Sequence, residues 1–266
     1  MPLISIADME AAELRIFTEL SENQLKHYYE PHGGLFIAES EKVTERAYAS
    51  GCVPVAMLAE EKYAEHRIVR LFQETIPVYL APYSVLKYLV GYPMTGGMIC
   101  AMRRPELPHV EELLEGKRRI AVLDHVTNQT NVGAIIRSAA ALGIEALLVT
   151  ESSGDPLYRR SIRVSMGTVF QISWSIVPEG SYIPLLAAHG FTTGAMALEE
   201  NSVPVDDPSL RSAEKLALIL GSEGYGLPAS VIKASDCTVK IPMAEGVDSL
   251  NVAAAAAVAF WSVLRG

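Results

Sequence analysis

The chain has 266 residues, and half of them are hydrophobic, which is sufficient for one large core or two modest ones. Its 31 Asp and Glu residues outnumber its 22 Lys and Arg residues and give a net charge of −9. This balance argues against a general polyanion binder, so any contact with nucleic acid must come from a local basic patch.

The first half of the chain alternates short apolar runs with helical patterns. From Ile6 to about Tyr29 the pattern predicts a helix or a helix pair, with Asp8 and Ser21 as N-caps. Beyond it, alternating strands and helices indicate a small α/β unit. The predicted strands are Gly34–Glu39, Val53–Leu58, Pro77–Ala81 and Met98–Met102, and the predicted helices are Lys42–Ser50 and Tyr83–Val90.

The second half repeats this alternation more strongly after a charged, proline-containing linker, Arg104–Gly116. We place a boundary near residue 108, which gives domains 1–108 and 109–266. Strands that are each followed by helices predict a mostly parallel sheet with helices on both faces. The predicted strands are Ile120–Leu123, Ala146–Val149, Phe170–Trp174, Thr192–Ala197, Leu216–Leu220 and Val239–Ile241, and the predicted helices are Val132–Leu142 and Leu250–Leu264.

The spacing of the cysteines and the length of the apolar runs indicate the cellular compartment. Cys52, Cys100 and Cys237 are far apart and form no CxxC pair, which is typical of reduced thiols and gives no zinc-site spacing. The longest apolar stretch, Val252–Trp261, is too short to span a bilayer, and the N-terminus shows no signal-peptide pattern. We therefore expect a cytoplasmic protein without a membrane partner.

Three polar or glycine-rich segments follow predicted strands of the second half, which is where open α/β sheets bind ligands. The first runs from Asp124 to Arg137, and its Asn131 is a candidate helix cap. The second, Gly221–Pro228, has three glycines within six residues, but neither the spacing of a dinucleotide fingerprint nor a P-loop lysine. The third joins Ile241–Met243 to Ser249–Asn251, where Ser249 is a plausible N-cap of the last helix. Each segment alone also fits an ordinary capped helix or tight turn.

In this order, the segments resemble the signature motifs of the SpoU (TrmH) family of RNA ribose 2′-O-methyltransferases, in the SPOUT superfamily. The matches are NxGxxxR at Asn131–Arg137, GSEGxG at Gly221–Gly226, and IPM with SLN at Ile241–Met243 and Ser249–Asn251. The resemblance covers about residues 117–266. Residues 1–105 more loosely resemble the small α/β RNA-binding domain that often precedes this catalytic domain.

The resemblance implies a deep trefoil knot in the C-terminal sheet, a homodimer that packs through the knotted region, and no metal. It implies S-adenosylmethionine as cofactor, with a pocket formed by Gly221, Ile241, Met243, Leu250 and Asn251. In such a pocket, backbone groups read the adenine edge and apolar side chains sandwich the ring. The apolar last helix, with Phe260 and Trp261, fits either the dimer interface or ordinary core.

The resemblance makes Arg137 the central catalytic residue. Because a guanidinium normally stays protonated, we assign it to bind the adjacent phosphate, orient the ribose hydroxyl and stabilise developing negative charge. Asn131 and Ser249 are expected to position the ribose or Arg137, and Glu223 to anchor the motif loops. Asn251 is expected to order the cofactor pocket.

Candidate RNA contacts come from local basic clusters and from tyrosines of the first half that could stack on bases. The alternatives are solvated surface arginines and core tyrosines. Ribosomal RNA is the favoured substrate, transfer RNA is an alternative, and DNA is not expected. Rival functions are a non-catalytic RNA-binding relative, a nucleotide-dependent oxidoreductase, and a methyltransferase of protein or small molecules. The candidates are Lys117–Arg119, Arg159, Arg160, Arg163, Arg67, Arg70, Arg103, Arg104, Tyr28, Tyr29, Tyr79 and Tyr83.

Overall fold

The computed structural model describes residues 3–6, 14–90, 96–222, 224–247 and 249–265. The chain divides into two compact units. Unit 1 comprises Met1–Glu106 and Leu157–Phe170, and unit 2 comprises Leu107–Pro156 and Gln171–Gly266. The first break lies beside the boundary predicted near residue 108. The assignment of the two domains to RNA binding and to catalysis stays a prediction.

The described elements alternate as expected for an α/β protein. The strands are β1 (Leu3–Ser5), β2 (Leu35–Glu39), β3 (Pro54–Glu60), β4 (Val78–Ala81), β5 (Met98–Arg103), β6 (Arg119–Leu123), β7 (Ala146–Thr150), β8 (Ser173–Val177), β9 (Thr192–Met196), β10 (Val203–Pro204), β11 (Leu216–Leu220) and β12 (Cys237–Lys240). The helices are α1 (Arg15–Thr18), α2 (Glu22–Lys26), α3 (Glu41–Ala49), α4 (Arg67–Phe72), α5 (Tyr83–Val90), α6 (Val110–Leu114), α7 (Gln129–Leu142), α8 (Arg159–Val164), α9 (Tyr182–Ala188), α10 (Pro208–Ser212), α11 (Ala229–Ala234) and α12 (Val252–Arg265).

Unit 1 is built on a mixed five-stranded sheet in the order β1-β4-β3-β5-β2. Strand β4 pairs in parallel with β1 and β3, whereas β5 is antiparallel to β2 and β3. The strand β1 was not predicted from the sequence. Ser21 is the N-cap of α2, as predicted, and forms a capping box with Gln24. The other predicted cap, Asp8, lies outside the described residues.

Helix α8 and the 3₁₀ turn after it, Thr168–Phe170, come from the second half of the sequence but belong to unit 1. There the ring of Phe170 packs 5.1 Å from that of Phe36, measured between centroids. The predicted strand Phe170–Trp174 was therefore wrong in its position, because β8 begins only at Ser173. The predicted strand spans the point where the chain passes from unit 1 to unit 2, so its two ends belong to different units.

Unit 2 contains the predicted parallel sheet, whose seven strands lie in the order β10-β12-β9-β11-β6-β7-β8. Each neighbouring pair is parallel, so all seven carboxyl ends lie at one edge. The central strands β7 and β11 are buried at every position, which means that both faces of the sheet are covered. Helices α6, α9 and α11 contribute to one core with the sheet, and α7 packs against α12. The trefoil knot stays a prediction.

Two helix caps in unit 2 differ from the predicted ones. Helix α7 is capped by Asn128, whose side chain accepts a hydrogen bond from the backbone of Thr130 at 2.8 Å. Asn131, the predicted cap, is a buried residue inside this helix. Helix α12 begins after Asn251, whose side chain accepts from the backbone of Ala253 at 3.0 Å, so the cap is Asn251 and not Ser249.

The apolar helices and the cysteines were also compared with the sequence expectations. Within the described ranges, no helix combines the length and the apolar character needed to cross a membrane. All three cysteines are free thiols. Burial raises the pKa of Cys52 to about 11 and also raises that of Cys100. These two thiols are therefore poor nucleophiles at neutral pH.

Candidate active site

A cavity of about 500 Å³ opens at the carboxyl ends of β9, β11 and β12. Because these neighbouring strands are parallel, the segments that follow them meet at the same edge. One wall is the segment after β9, including Leu198, and a second is the glycine-rich turn after β11. The remaining walls are the segment after β12, with Ile241 and Met243, and the start of α12.

The glycine-rich turn is a tight hairpin closed by Ser222 and Gly226, whose backbones exchange two hydrogen bonds of 3.2 and 3.1 Å. Gly221 lies directly beneath it. A methyl group at Gly221 would lie 2.5 Å from the carbonyl carbon of Gly226 and 2.6 Å from the backbone nitrogen of Leu227. Only glycine therefore allows the turn to fold this closely against the end of β11.

The start of α12 connects the cavity to α7. Asn251 lines the cavity, and its amide nitrogen donates a hydrogen bond of 3.1 Å to the side-chain oxygen of Asn131. Asn131 is only 8% exposed. This asparagine pair joins the first and the third sequence motifs, which are 120 residues apart in the chain.

The structure brings most of the predicted site residues together. All five predicted cofactor residues, and Ser249, line the cavity: Gly221, Ile241, Met243, Leu250 and Asn251. Arg137 does not line it, but is exposed on α7, the helix that carries Asn131. Within the described part of the chain, the Arg137 side chain forms no hydrogen bond or ion pair. Glu223 lies outside the described residues.

The cavity is mainly apolar, and its rim exposes hydrophobic side chains. Leu198 is 59% exposed and Tyr225 is 99% exposed, which is unusual for residues of this size. Sequence reasoning missed Tyr225, although its position between two glycines of the turn was a signal. Among the described residues of the lining, Glu199 and Lys240 are charged. No cluster of three or more metal-ligating side chains occurs among the described residues.

A buried carboxylate holds the first motif loop in place. Asp124 follows β6 and is 1% exposed. One of its oxygens accepts a hydrogen bond from the Tyr182 hydroxyl, and the other lies beside the His125 ring nitrogen Nδ1. Burial, followed by the hydrogen bond and the charge of Asp124, raises the pKa of Tyr182. The hydroxyl therefore keeps its proton and remains a donor.

Replacing Tyr182 by Phe is expected to lower the free energy of unfolding by about 1–3 kcal/mol, because a buried carboxylate loses its donor. Urea denaturation measures this change. The matched control is Tyr83→Phe, which removes a hydroxyl from a side chain that is 41% exposed and should cost little. Equal unfolding free energies for Tyr182→Phe and the wild type would contradict the assignment.

Several arginines that the sequence offered as RNA contacts have partners within the fold. The Arg119 guanidinium donates to four backbone carbonyls at the amino end of the sheet, opposite the cavity. Arg159 and Arg163 both approach Glu39, a carboxylate that is 12% exposed, at 4.0 and 3.7 Å. Arg67 pairs with Glu45. These side chains are held by partners within their own units.

Similarity to known proteins identifies the family of this chain. The model of the SpoU rRNA Methylase family matches residues 118–261, more than half of the chain. This chain belongs to the SpoU rRNA Methylase family. The matched range contains every strand of the parallel sheet and all the segments that line the cavity.

The similarity of this SpoU-family chain to its relatives extends beyond residues 118–261. An uncharacterized tRNA/rRNA methyltransferase of Mycobacterium bovis is 33% identical over 98% of this chain and 91% of its own length. The 23S rRNA (guanosine(2553)-2′-O)-methyltransferase RlmP of Bacillus subtilis is 28% identical over 87% of this chain and 88% of its own. The AdoMet-bound crystal structure of an rRNA methyltransferase from Sinorhizobium meliloti has the same fold. Its TM-score is 0.85 at 20% identity, with 99% of this chain and 98% of that chain covered.

Proposed function

We propose that this SpoU-family chain transfers the methyl group of S-adenosylmethionine to a ribose 2′-hydroxyl of RNA, with ribosomal RNA as the favoured substrate. The observation that carries the proposal is the cavity, whose walls come from the second and third family motifs and whose Asn251 contacts Asn131 of the first. RlmP, by its name, acts on a guanosine of 23S rRNA. Names of other relatives include both tRNA and rRNA, so transfer RNA is the alternative substrate.

The cavity fits the proposed cofactor in size and in chemistry. A volume of about 500 Å³ lies within the usual range for small-molecule sites. Leu198, Ile241 and Leu250 offer apolar surfaces for an adenine ring, and the backbone of the turn at Gly221 offers polar groups for its edge. Bound there, S-adenosylmethionine supplies a methyl group that its sulfonium has already activated.

The catalytic roles are assigned to groups around this cavity. Arg137 binds a phosphate of the RNA and stabilises negative charge as the ribose hydroxyl loses its proton. Asn131 and Ser249 position the ribose or Arg137, and Glu223 anchors the motif loops. Asn251 supports this arrangement because it caps α12, lines the cavity and contacts Asn131.

Methylation of RNA by the purified full-length chain tests the proposal. Tritiated S-adenosylmethionine is supplied with deproteinised ribosomal RNA or transfer RNA from cells that lack the gene, and ribose methylation is mapped by primer extension. We expect one new 2′-O-methyl mark in ribosomal RNA. Cofactor binding by calorimetry without any incorporation would favour the non-catalytic relative, and a mark on a base or a protein would exclude the proposed acceptor.

We further propose a homodimer in which α12 forms part of the interface, and a cytoplasmic location, where the RNA is found. Ala254, Val258 and Trp261 lie on one exposed face of α12, with Val258 41% and Trp261 53% exposed. Phe260, which the sequence offered together with Trp261 for this interface, is instead fully buried in its own unit. An apolar face of this kind on a surface helix favours association.

A Val258→Asp variant is expected to be monomeric where the wild-type chain is dimeric. A carboxylate in an apolar contact costs about 2 kcal/mol or more, which weakens the dimer at least about 30-fold. Light scattering coupled to size exclusion measures the mass. Leu71→Asp is the matched control, because Leu71 is 38% exposed on unit 1. A wild-type monomer, or a Val258→Asp variant that dimerises normally, would rule out this interface.

A further inference from the structure

One surface of unit 1 brings together aromatic and basic side chains that the sequence could not place. We call it the Tyr28 surface, and it comprises His27, Tyr28, Tyr29, His32 and Arg103. The first four residues lie on the turn that follows α2, and Arg103 ends β5. The turn is closed by hydrogen bonds from Tyr29 to Gly33 and from His32 to Tyr29, of 3.0 and 2.7 Å.

Tyr29 contacts both the Arg103 guanidinium and the Tyr28 ring. The Arg103 guanidinium lies 4.3 Å from the centroid of the Tyr29 ring. The Tyr28 ring meets Tyr29 edge-on, with centroids 4.9 Å apart and an interplanar angle of 86°. Tyr29 therefore supports both neighbours, and Tyr28 remains 47% exposed. The exposed Tyr28 ring and the exposed Arg103 guanidinium are therefore both held by contact with Tyr29.

Among the residues that the structure describes, no acidic side chain pairs with Arg103. Within the described ranges, its guanidinium forms no ion pair, whereas Arg67 and Arg70 pair with Glu45 and Glu65. The carboxylate of the turn, Glu30, lies 3.7 Å from His27. On a chain with a net charge of −9, Arg103 is therefore an exposed positive charge that shares its Tyr29 contact with an exposed aromatic ring, Tyr28.

We propose that the Tyr28 surface binds an unpaired segment of the RNA substrate, with a base stacked on Tyr28 and a phosphate held by Arg103. This inference rests on the proposed RNA substrate and deepens it. Unstacked bases bind to exposed tyrosine rings, and guanidinium donors bind phosphate oxygens. Base-paired RNA keeps its bases stacked and offers none to Tyr28, so the surface selects single-stranded loops or ends.

The test measures binding of the full-length chain to a fluorescein-labelled, mixed-sequence single-stranded RNA of about 12 nucleotides and to its duplex. We expect the single strand to bind more tightly. Tyr28→Ala should weaken its binding about 5-fold or more, and Tyr28→Phe should retain it. Arg103→Gln should weaken binding and reduce the slope of log affinity against log salt by about 0.7, the contribution of one phosphate contact.

Two comparisons separate this role from a structural one. Arg103→Lys keeps the charge and should keep the salt slope, and Arg15→Gln, which removes an exposed arginine that pairs with Glu19, should change neither affinity nor slope. Wild-type affinity in both Tyr28→Ala and Arg103→Gln, a preference for duplex, or no binding by the wild type would each overturn the proposal. Methyl transfer to ribosomal RNA by the wild type is measured separately. The proposed function therefore holds if methyl transfer is observed, even when the binding data exclude a role for the Tyr28 surface.

Discussion

An Arg137→Ala variant is expected to bind S-adenosylmethionine as the wild type does and to transfer methyl groups at least about 100-fold more slowly. Removing one preorganised group that stabilises developing charge typically costs this much in rate. Arg137 lies outside the cavity lining, so its loss leaves the cofactor walls unchanged. Single-turnover methyl transfer and calorimetric cofactor binding, measured on the same preparation, give the two readouts.

The variant should fold normally, because Arg137 is exposed and alanine is the better helix former. Arg137→Lys keeps the charge but loses the forked donors that match a phosphate, so partial activity is expected. The control Arg15→Ala removes an exposed arginine of unit 1 and should leave turnover near the wild-type level. Near-normal turnover in Arg137→Ala would remove this residue from the mechanism.

A Gly221→Ala variant is expected to lose cofactor affinity by about 10- to 100-fold. The added methyl group would collide with the backbone of Gly226 and Leu227, and backbone must move to admit it. Overpacking of this kind costs about 1–3 kcal/mol. The turn that must shift forms one wall of the cavity, so the distortion acts directly on the binding site.

The same substitution three residues later provides the matched control. A methyl group at Gly224 would meet no atom within 4 Å, so Gly224→Ala should bind the cofactor with nearly wild-type affinity. Calorimetry measures both affinities, and thermal unfolding shows whether each variant remains folded. Equal cofactor affinity in Gly221→Ala and the wild type would mean that this turn does not shape the cofactor site.

The arginines illustrate what a sequence pattern leaves open. The sequence marks Arg119, Arg159 and Arg103 equally as basic residues. The structure gives Arg119 four carbonyl acceptors and brings Arg159 near Glu39, whereas Arg103 stacks on Tyr29. The sequence shows where the charged residues are, but the groups that bind their side chains come from distant parts of the chain.

The sequence also does not decide which of two neighbouring residues caps a helix. The loop before α7 offers Asn128 and Asn131, and the loop before α12 offers Ser249 and Asn251. All four are asparagine or serine, which favour an N-cap, and only the backbone angles and hydrogen bonds select one of each pair. The selection matters for the site, because Asn131 inside α7 is then available to Asn251.

The sequence by itself determined the alternation of strands and helices in unit 2 and the three motifs that follow its strands, because apolar periodicity and turn residues act locally. The tertiary structure alone decided that Phe170 packs on Phe36 in unit 1, that Arg119 donates to backbone carbonyls, and that Tyr28 and Arg103 both contact Tyr29. These outcomes depend on pairings between residues far apart in the chain. Such pairings are selected by the packing and hydrogen bonding of the whole fold, and no local pattern encodes them.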